Sequence, residues 1–114
     1  MKHSVYIIIG VALLLFASCG QQQKAKSVVK DFMDTYPRGE VSYLEFSDVD
    51  STNAISDSLI DVMRHRGPQG IHYLDRQNNT LLHIRAKYVF GKDTMSATFY
   101  LNPDAEGVVA FKEN

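Results

Sequence analysis

Hydrophobic and polar residues alternate most regularly in the last third of the chain. Five apolar residues occupy every second position from Leu82 to Phe90, and a similar run extends from Thr94 to Leu101. A period of two predicts β-strands with one buried face. Turn residues at 91–93 and 102–107 separate these runs from each other and from a third apolar run at 108–111. The pattern predicts a three-strand meander, with residues 71–74 as a candidate additional strand.

Two earlier segments have helical spacing instead. Apolar residues recur on one side of residues 27–36, and Leu59, Ile60 and Met63 do so within residues 55–66. Pro37 and the Gly67-Pro68 pair are expected to end these helices. Ser58 and Asp61 have the spacing of a capping box, and Ser56 or Asp57 are equally suitable caps. Residues 40–49 favour a strand with imperfect alternation, followed by a turn at 48–53.

Together these elements predict an α+β domain. We expect two helices packed on one face of a curved antiparallel sheet of about four to five strands that ends in the three-strand meander. The element order resembles the NTF2-like and cystatin-like folds. The Gln-x-Val-x-Gly loop of cystatin inhibitors is absent, so the resemblance does not imply protease inhibition.

The beginning of the chain has the composition of a secretory leader. Met1-Lys2-His3 is basic, and the apolar run Val5 to Ala17 has only about two thirds of the length of a membrane-spanning helix. The run leads into Phe16-Ala17-Ser18-Cys19, which contains the only cysteine of the chain. This string resembles the lipobox of bacterial lipoproteins, with Phe16 where the motif usually has Leu. The resemblance implies cleavage before Cys19 and acylation of Cys19.

The lipobox implies an organisation and a location. Residues 1–18 would be a lipoprotein signal peptide, residues 19–26 a lipidated tether and residues 27–114 a single α+β domain. The Phe-Ala-Ser-Cys-Gly string, with the Thr-Phe-Tyr-Leu and Val-Ala-Phe-Lys segments, resembles small lipoproteins of Bacteroides-like bacteria, a likeness that implies no activity. Gly20 after the cysteine implies the outer membrane. The lack of an acidic stretch at 21–24 favours the periplasmic side, and surface exposure stays an alternative.

The charge distribution argues against a nucleic-acid partner. Basic and acidic residues are interspersed, with a formal net charge of −1 for the whole chain. No basic stripe with interleaved aromatic residues is present, so we expect no nucleic-acid partner. The densest basic cluster, Arg64-His65-Arg66, is interpreted as complementing the dipole of a helix end.

Candidate metal and catalytic residues do not form a known motif. Asp48, Asp50 and Asn53 begin like a calcium loop but lack its glycine and glutamate. His72 and His83 would share a sheet face only if their segments pair, and a third zinc ligand is missing. Glu45 with Asp48 or Asp50 could form an acid/base pair only within a cleft, and Gly-x-Ser-x-Gly is absent. We therefore expect no metal, no cofactor and no catalytic residue.

Two sets of surface residues are candidate sites. His83, Arg85 and Lys87 lie on the polar side of the longest strand and could bind an acidic partner or glycan, although one face of an antiparallel sheet is commonly solvated. Asp-Ser/Thr-containing segments at Ser51, Ser58 and Thr94 resemble acceptor sites for O-glycosylation in Bacteroides-like bacteria. Such pairs are also favoured at turns and helix caps.

The combined expectation is a membrane-anchored lipoprotein of the cell envelope with a non-enzymatic binding domain. The protein would attach to the membrane through the lipid on Cys19, and its binding partner would be an envelope protein or a glycan. The alternative is a pocketed NTF2-like domain with ligand-binding, hydrolase or isomerase activity. That alternative requires a deep cavity lined by Tyr43, His72, His83 or Glu45.

Overall fold

The computed structural model describes residues 20–35, 41–68 and 70–114, so the leader and Cys19 lie outside the described residues. Two helices and five strands form an α+β fold, as predicted. In chain order they are α1 (20–34), β1 (Val41–Phe46), β2 (Asp50–Thr52), α2 (Asp57–Arg66), β3 (Leu81–Phe90), β4 (Asp93–Leu101) and β5 (Val108–Glu113).

The strands form one antiparallel sheet. Its order is β1-β3-β4-β5, and β2 also pairs with β3, beside the first residues of that strand. β3, β4 and β5 are the predicted meander, and Gly91 turns the chain between β3 and β4 with a φ of +64°, a conformation that glycine adopts without steric cost. Residues 71–74 do not form the additional strand, although the Leu74 N–H donates to Val108 O at 2.8 Å.

The edge of the sheet at β1 and β2 is irregular. The pairing with β3 shifts between Tyr43 and Glu45, so Tyr43 and Phe46 both pack toward the main core despite their odd spacing. The ladder is then interrupted at residues 47–49, where Ser47 Oγ accepts from the Arg85 N–H and the Ser47 N–H donates to Arg85 O. Residues 50–52, expected as a turn, form β2 instead. The imperfect alternation of this segment therefore reflects a bulged edge strand.

The face of the sheet toward α1 holds the larger core. Alternate residues of β3 and β4 point to it, and Phe32 of α1 packs edge-on against Phe99 and Phe111. No residue of this cluster is more than 8% exposed. Its members are Ala25, Val29, Phe32, Met33, Leu82, Ile84, Ala86, Tyr88, Ala97, Phe99, Leu101, Ala105, Val108 and Phe111.

The second helix packs on the opposite face, which corrects the expectation that both helices share one face. Ile60 and Met63 of α2 form a separate buried cluster with Leu81, Tyr100, Val109 and Ala110. Leu81 and Tyr100 are the sequence neighbours of Leu82 and Leu101, so strand alternation directs them to the other side. The apolar runs at 81–82 and 99–101 therefore mark a sheet that is covered on both faces at this end.

The helix α1 begins earlier than the predicted start at residue 27. Residues 20–26, which were expected to form a tether, are helical, and Ala25 is completely buried. Gln22 Nε2 donates to Ser47 O at 2.8 Å, and Gln22 Oε1 accepts from the Val49 N–H at 2.6 Å. The polar composition predicts a solvated segment; Gln21, Gln23 and Lys24 are indeed exposed, but Gln22 binds the sheet edge.

The first turn of α2 resolves the choice of cap. Ser56 is the N-cap, and its Oγ accepts from the Leu59 N–H at 3.2 Å. Ser58, the first residue of the candidate capping box, lies inside the helix and is exposed. The cap satisfies one of the backbone donors that a helix start leaves without a partner.

Candidate binding face on the outer side of the sheet

The outer face is the side of the sheet on which α2 packs, and α2 covers only one end of it. Beyond Leu81 and Tyr100 the three predicted binding residues follow at alternate positions of β3: His83 is half-buried, and Arg85 and Lys87 are exposed. The strand alternation thus brings these three side chains together on one face, as predicted. The residues beside them in register are Asp50 and Tyr100 at His83, Thr98 at Arg85, Glu45 and Ser96 at Lys87, and Lys112 at Thr98.

A shallow depression lies in the middle of this face. It has a volume of about 310 Å³ and is lined by Glu45, Ser47, Arg85, Lys87 and Ser96. Two cationic groups, one carboxylate and two hydroxyl groups therefore surround it. Such a lining can hold an anionic group by charge and by a hydrogen bond from the Ser96 hydroxyl, since Ser47 Oγ already donates to Asp48 O and accepts from the Arg85 N–H.

The end of the chain organises the far side of the outer face. The Asn114 N–H donates to Ser96 O at 2.9 Å, and Asn114 Nδ2 donates to Ser96 Oγ at 3.1 Å. Thr98 Oγ1 is 3.4 Å from Asn114 Oδ1, to which it donates. These contacts hold the Ser96 hydroxyl in place beside Lys87. Lys112 also faces this side, because β5 pairs with β4 so that Lys112 lies opposite Thr98; alternation along β3 alone does not indicate this.

The candidate modification sites are all accessible. Ser51 lies in β2, Ser58 in the first turn of α2 and Thr94 near the start of β4, and each is exposed. They are spread over separate elements, so they do not form one site. O-glycosylation of these residues and acylation of Cys19 stay predictions, since Cys19 lies outside the described residues.

The candidate metal ligands are not brought together. His72 lies in the irregular segment beside α1, in a groove that also contains Asp31 and Tyr73, whereas His83 is on the outer face. Asp50 Oδ1 accepts from the Ser51 N–H, and Asn53 Oδ1 accepts from Thr80 Oγ1 at 2.6 Å. Within the described ranges, no group of three His, Cys, Asp or Glu side chains is placed to hold a metal ion.

The residues that would line a cavity in the alternative NTF2-like interpretation are also dispersed. Tyr43 stacks on Phe46 on the α1 side, with ring centroids 5.4 Å apart, while Glu45 lies on the outer face. Burial, followed by the nearby Asp34 carboxylate and the Tyr88 phenol, raises the pKa of Tyr43 to about 12. A phenol in this environment stays protonated and is a poor base. These residues do not line a shared cavity.

Two arginines, Arg64 and Arg76, join separate parts of the chain through hydrogen bonds to carbonyl oxygens. Arg64 Nε donates to Val109 O and its Nη2 donates to Leu74 O, each at 2.9 Å, and the guanidinium lies over the Tyr73 ring. Arg64 also lies in the last turn of α2, the expected place for a charge that complements the helix dipole. Arg76 donates to the carbonyl oxygens of Ile55, Asn78 and Asn79. A lone arginine in a polar segment gives no signal of such contacts: Asn78 and Asn79 are near Arg76 in the chain, but Ile55 is 21 residues away.

Two further observations bear on location and relationship. Among the helices that the structure describes, none has the length and apolar character of a membrane span. In comparisons with known proteins, the chain matches no family model, no curated protein and no solved structure.

Proposed function

We propose that this protein is a lipid-anchored binding module of the bacterial cell envelope, attached through Cys19 and recognising an acidic partner with its outer face. The anchor is supported by the lipobox-like string Phe16-Ala17-Ser18-Cys19 behind a basic, apolar leader. The outer membrane, on its periplasmic side, is the proposed location. A cysteine with two or three acyl chains is held firmly in a bilayer, so the domain itself needs no spanning segment.

The observation that carries the binding role is the uncovered part of the outer face. α2 covers the face at Leu81 and Tyr100 and leaves Arg85 and Lys87 exposed around the depression. A solvated sheet face is ordinary, but here its exposed cations are grouped in a chain with a formal net charge of −1. This grouping supports a negatively charged ligand.

The chemistry of the face indicates the kind of partner. Arg85, Lys87 and Lys112 are charged donors, and Ser96 supplies a hydroxyl that can donate or accept. Glu45 and Asp50 border the cations, so a uniformly anionic surface would meet two repulsive contacts. A ligand with separated carboxylates among neutral polar groups fits better. A glycan containing uronic acids has this character, and so does an acidic protein segment.

The binding role is tested with two defined acidic probes. Biolayer interferometry would compare hyaluronan, a glycan in which uronic acids alternate with neutral sugars, with an alternating Glu-Ser polypeptide, on the purified lipidated protein. The triple variant Arg85→Gln, Lys87→Gln, Lys112→Gln should lose about tenfold in affinity, because exposed ion pairs contribute up to about 1 kcal/mol each and 1.4 kcal/mol is tenfold. Raised salt should weaken binding of the unsubstituted protein.

The matched control is the triple variant Lys24→Gln, Lys30→Gln, Lys92→Gln, which removes three exposed cations from α1 and the β3–β4 turn. It should leave the affinity for either probe unchanged. Equal loss in both variants would contradict the outer face as the site, and binding of neither probe would contradict an acidic partner. Intact mass tests the anchor separately: the protein should carry acyl groups, and Cys19→Ala should carry none. An acylated Cys19→Ala protein would overturn the lipobox interpretation.

A further inference from the structure

The helix α1 is fastened to the sheet edge close to the proposed lipid attachment. Both hydrogen bonds of the Gln22 amide go to backbone groups of residues 47 and 49, where the ladder between the edge strand and β3 is interrupted. One side chain thus supplies a donor and an acceptor to main-chain groups that the sheet does not pair there. Gln22 and Ser47–Val49 are called the anchor corner below.

The residues after Gln22 cannot serve as a flexible spacer. Ala25 and Val29 of the same helix are completely buried in the main core. Farther along α1, the Lys26 ammonium lies 5.6 Å from the centre of the Phe46 ring, and the Lys30 ammonium lies 5.7 Å from that of Tyr43. These contacts fix the first described turns of α1 relative to β1. Gln22 therefore keeps a fixed position relative to the rest of the domain.

Very little chain separates the anchor corner from Cys19. Cys19 and Gln22 are three positions apart, and three residues span at most about 11 Å even when fully extended. An acylated Cys19 would lie at the bilayer surface with its acyl chains in the hydrocarbon. The Cα atom of Gln22 would then lie within about 11 Å of that point, whatever the conformation of the intervening residues.

The surface around the anchor corner suits contact with lipid headgroups. Gln21, Gln23, Lys24 and Asp48 are exposed, and they carry both charges as well as neutral amides. Polar groups of this kind are costly to bury in hydrocarbon but are readily accommodated in the hydrated headgroup layer. The corner can therefore rest on a bilayer without entering it.

We propose that the domain rests directly on the membrane that holds its lipid, with the anchor corner against the headgroups. This inference depends on the proposed acylation of Cys19. The Gly91–Lys92 turn lies far from the anchor corner, since β3 advances about 17 Å over the five residues from Arg85, which pairs with Ser47, to its last residue, Phe90. The outer face then stands beside the membrane, and its partner lies in the same membrane or at its surface.

Fluorescence quenching tests this orientation in the full, acylated protein. Single thiols are introduced as Asp48→Cys and Lys92→Cys, labelled with bimane and reconstituted in phosphatidylcholine vesicles that carry nitroxide headgroups. Cys19 is blocked by its lipid, so only the new thiol reacts. The Asp48 label should be quenched several-fold more than the Lys92 label. Equal quenching of the two labels would overturn the orientation.

A longer connection supplies the control. Ten Gly/Ser residues inserted between Gly20 and Gln21 should lower quenching of the Asp48 label to the level at Lys92, because the domain can then leave the surface. Unchanged quenching would contradict the role of the short connection. Gln22→Ala should partially reduce quenching of the Asp48 label. Gln21→Ala, at an exposed neighbouring residue, should not reduce it. Equal effects of the two substitutions would contradict a role of Gln22 in holding the domain at the membrane.

Intact mass separates this inference from the proposed function. A protein without acyl groups would overturn the anchor and the orientation together. An acylated protein with equal quenching at both positions would overturn the orientation alone and leave the lipid anchor in place.

Discussion

The two faces of the sheet are built from the same strands but differ in what covers them. On the α1 side, one long helix and the rings of Phe32, Phe99 and Phe111 form a core with no residue more than 8% exposed. On the outer side, the shorter α2 buries a cluster at one end and leaves the cationic remainder in solvent. The first face provides most of the hydrophobic stabilisation, and the second has a surface that can change without loss of the fold.

The largest expected effect comes from the α1 face. Phe99→Ala removes a completely buried ring that lies 5.6 Å from the centre of the Phe111 ring. We expect the free energy of unfolding to fall by about 3–5 kcal/mol, the usual cost of such a truncation, which is much of the stability of a small domain. Urea unfolding followed by circular dichroism measures the change.

The neighbouring position on the outer face supplies the control for Phe99→Ala. Thr98→Val keeps the branched shape and loses only the exposed hydrogen bond of 3.4 Å to Asn114 Oδ1, so the free energy of unfolding should fall by no more than about 1 kcal/mol. If Phe99→Ala does not fold, Phe99→Leu provides a measurable, smaller loss. Equal effects of the Phe99 and Thr98 substitutions would contradict the difference between the faces.

An intermediate effect is expected where α2 joins the edge strand β5. Arg64→Met keeps much of the side-chain volume but removes the charged donors to Val109 O and Leu74 O. We expect a loss of about 2–4 kcal/mol in the free energy of unfolding, because hydrogen bonds from charged groups contribute about 1.5–3 kcal/mol each and are not additive. Thermal and urea unfolding measure it.

Arg66→Met is the matched substitution, since Arg66 is exposed in the same last turn of α2. It should change stability by less than about 0.5 kcal/mol. A comparable loss in both variants would mean that helix-end charge, and not the two carbonyl contacts, is what stabilises this junction.

The smallest expected effect is a pH dependence on the α1 side. The pKa of Tyr43 is raised from 10.0 to about 12, chiefly by burial, and its hydroxyl has no hydrogen-bond partner among the described residues. The unfolded chain therefore loses this proton at a lower pH than the folded domain does. The stabilisation is complete below about pH 10 and is lost as pH rises to about 12. Tyr43→Phe should reduce the loss of stability between these values and change little at pH 7.

The corresponding outer-face variant is Tyr100→Phe. Burial also raises the pKa of Tyr100, but by less than that of Tyr43. Urea unfolding at pH 8, 10 and 11.5 should therefore show a smaller change in pH dependence for Tyr100→Phe than for Tyr43→Phe. Identical pH profiles of Tyr43→Phe and the unsubstituted protein would contradict the burial of this phenol.

The meander was predictable because its signal is local. Alternation at 82–90 and 94–101 and the glycine at 91 define the strands and the turn, and the structure confirms them. The edge strand was harder, because a bulge at 43–45 and a break at 47–49 destroy the period of two on which strand prediction depends. The face that α2 covers was predicted wrongly, since the periodicity of a helix shows which of its sides is apolar but not which side of the sheet it meets.

The candidate site also contains residues that the sequence identifies and a residue that only the tertiary structure places there. His83, Arg85 and Lys87 were identified from alternation along one strand, whereas Lys112 joined them only through the pairing of β4 with β5. The start of α1 was misplaced because Gln21 to Gln23 have the composition of a solvated linker. Only Gln22 among them binds the sheet edge, and its partners lie 25 and 27 residues farther along the chain.

The sequence by itself determined the α+β class, the meander, the two amphipathic helices and the lipobox-like string. Each of these features depends on residues that are close together in the chain. The tertiary structure decided which face α2 covers, which cations stay exposed and that Gln22 binds the sheet edge. Those outcomes depend on contacts between residues distant in sequence, whose partners are chosen by packing and not by local pattern.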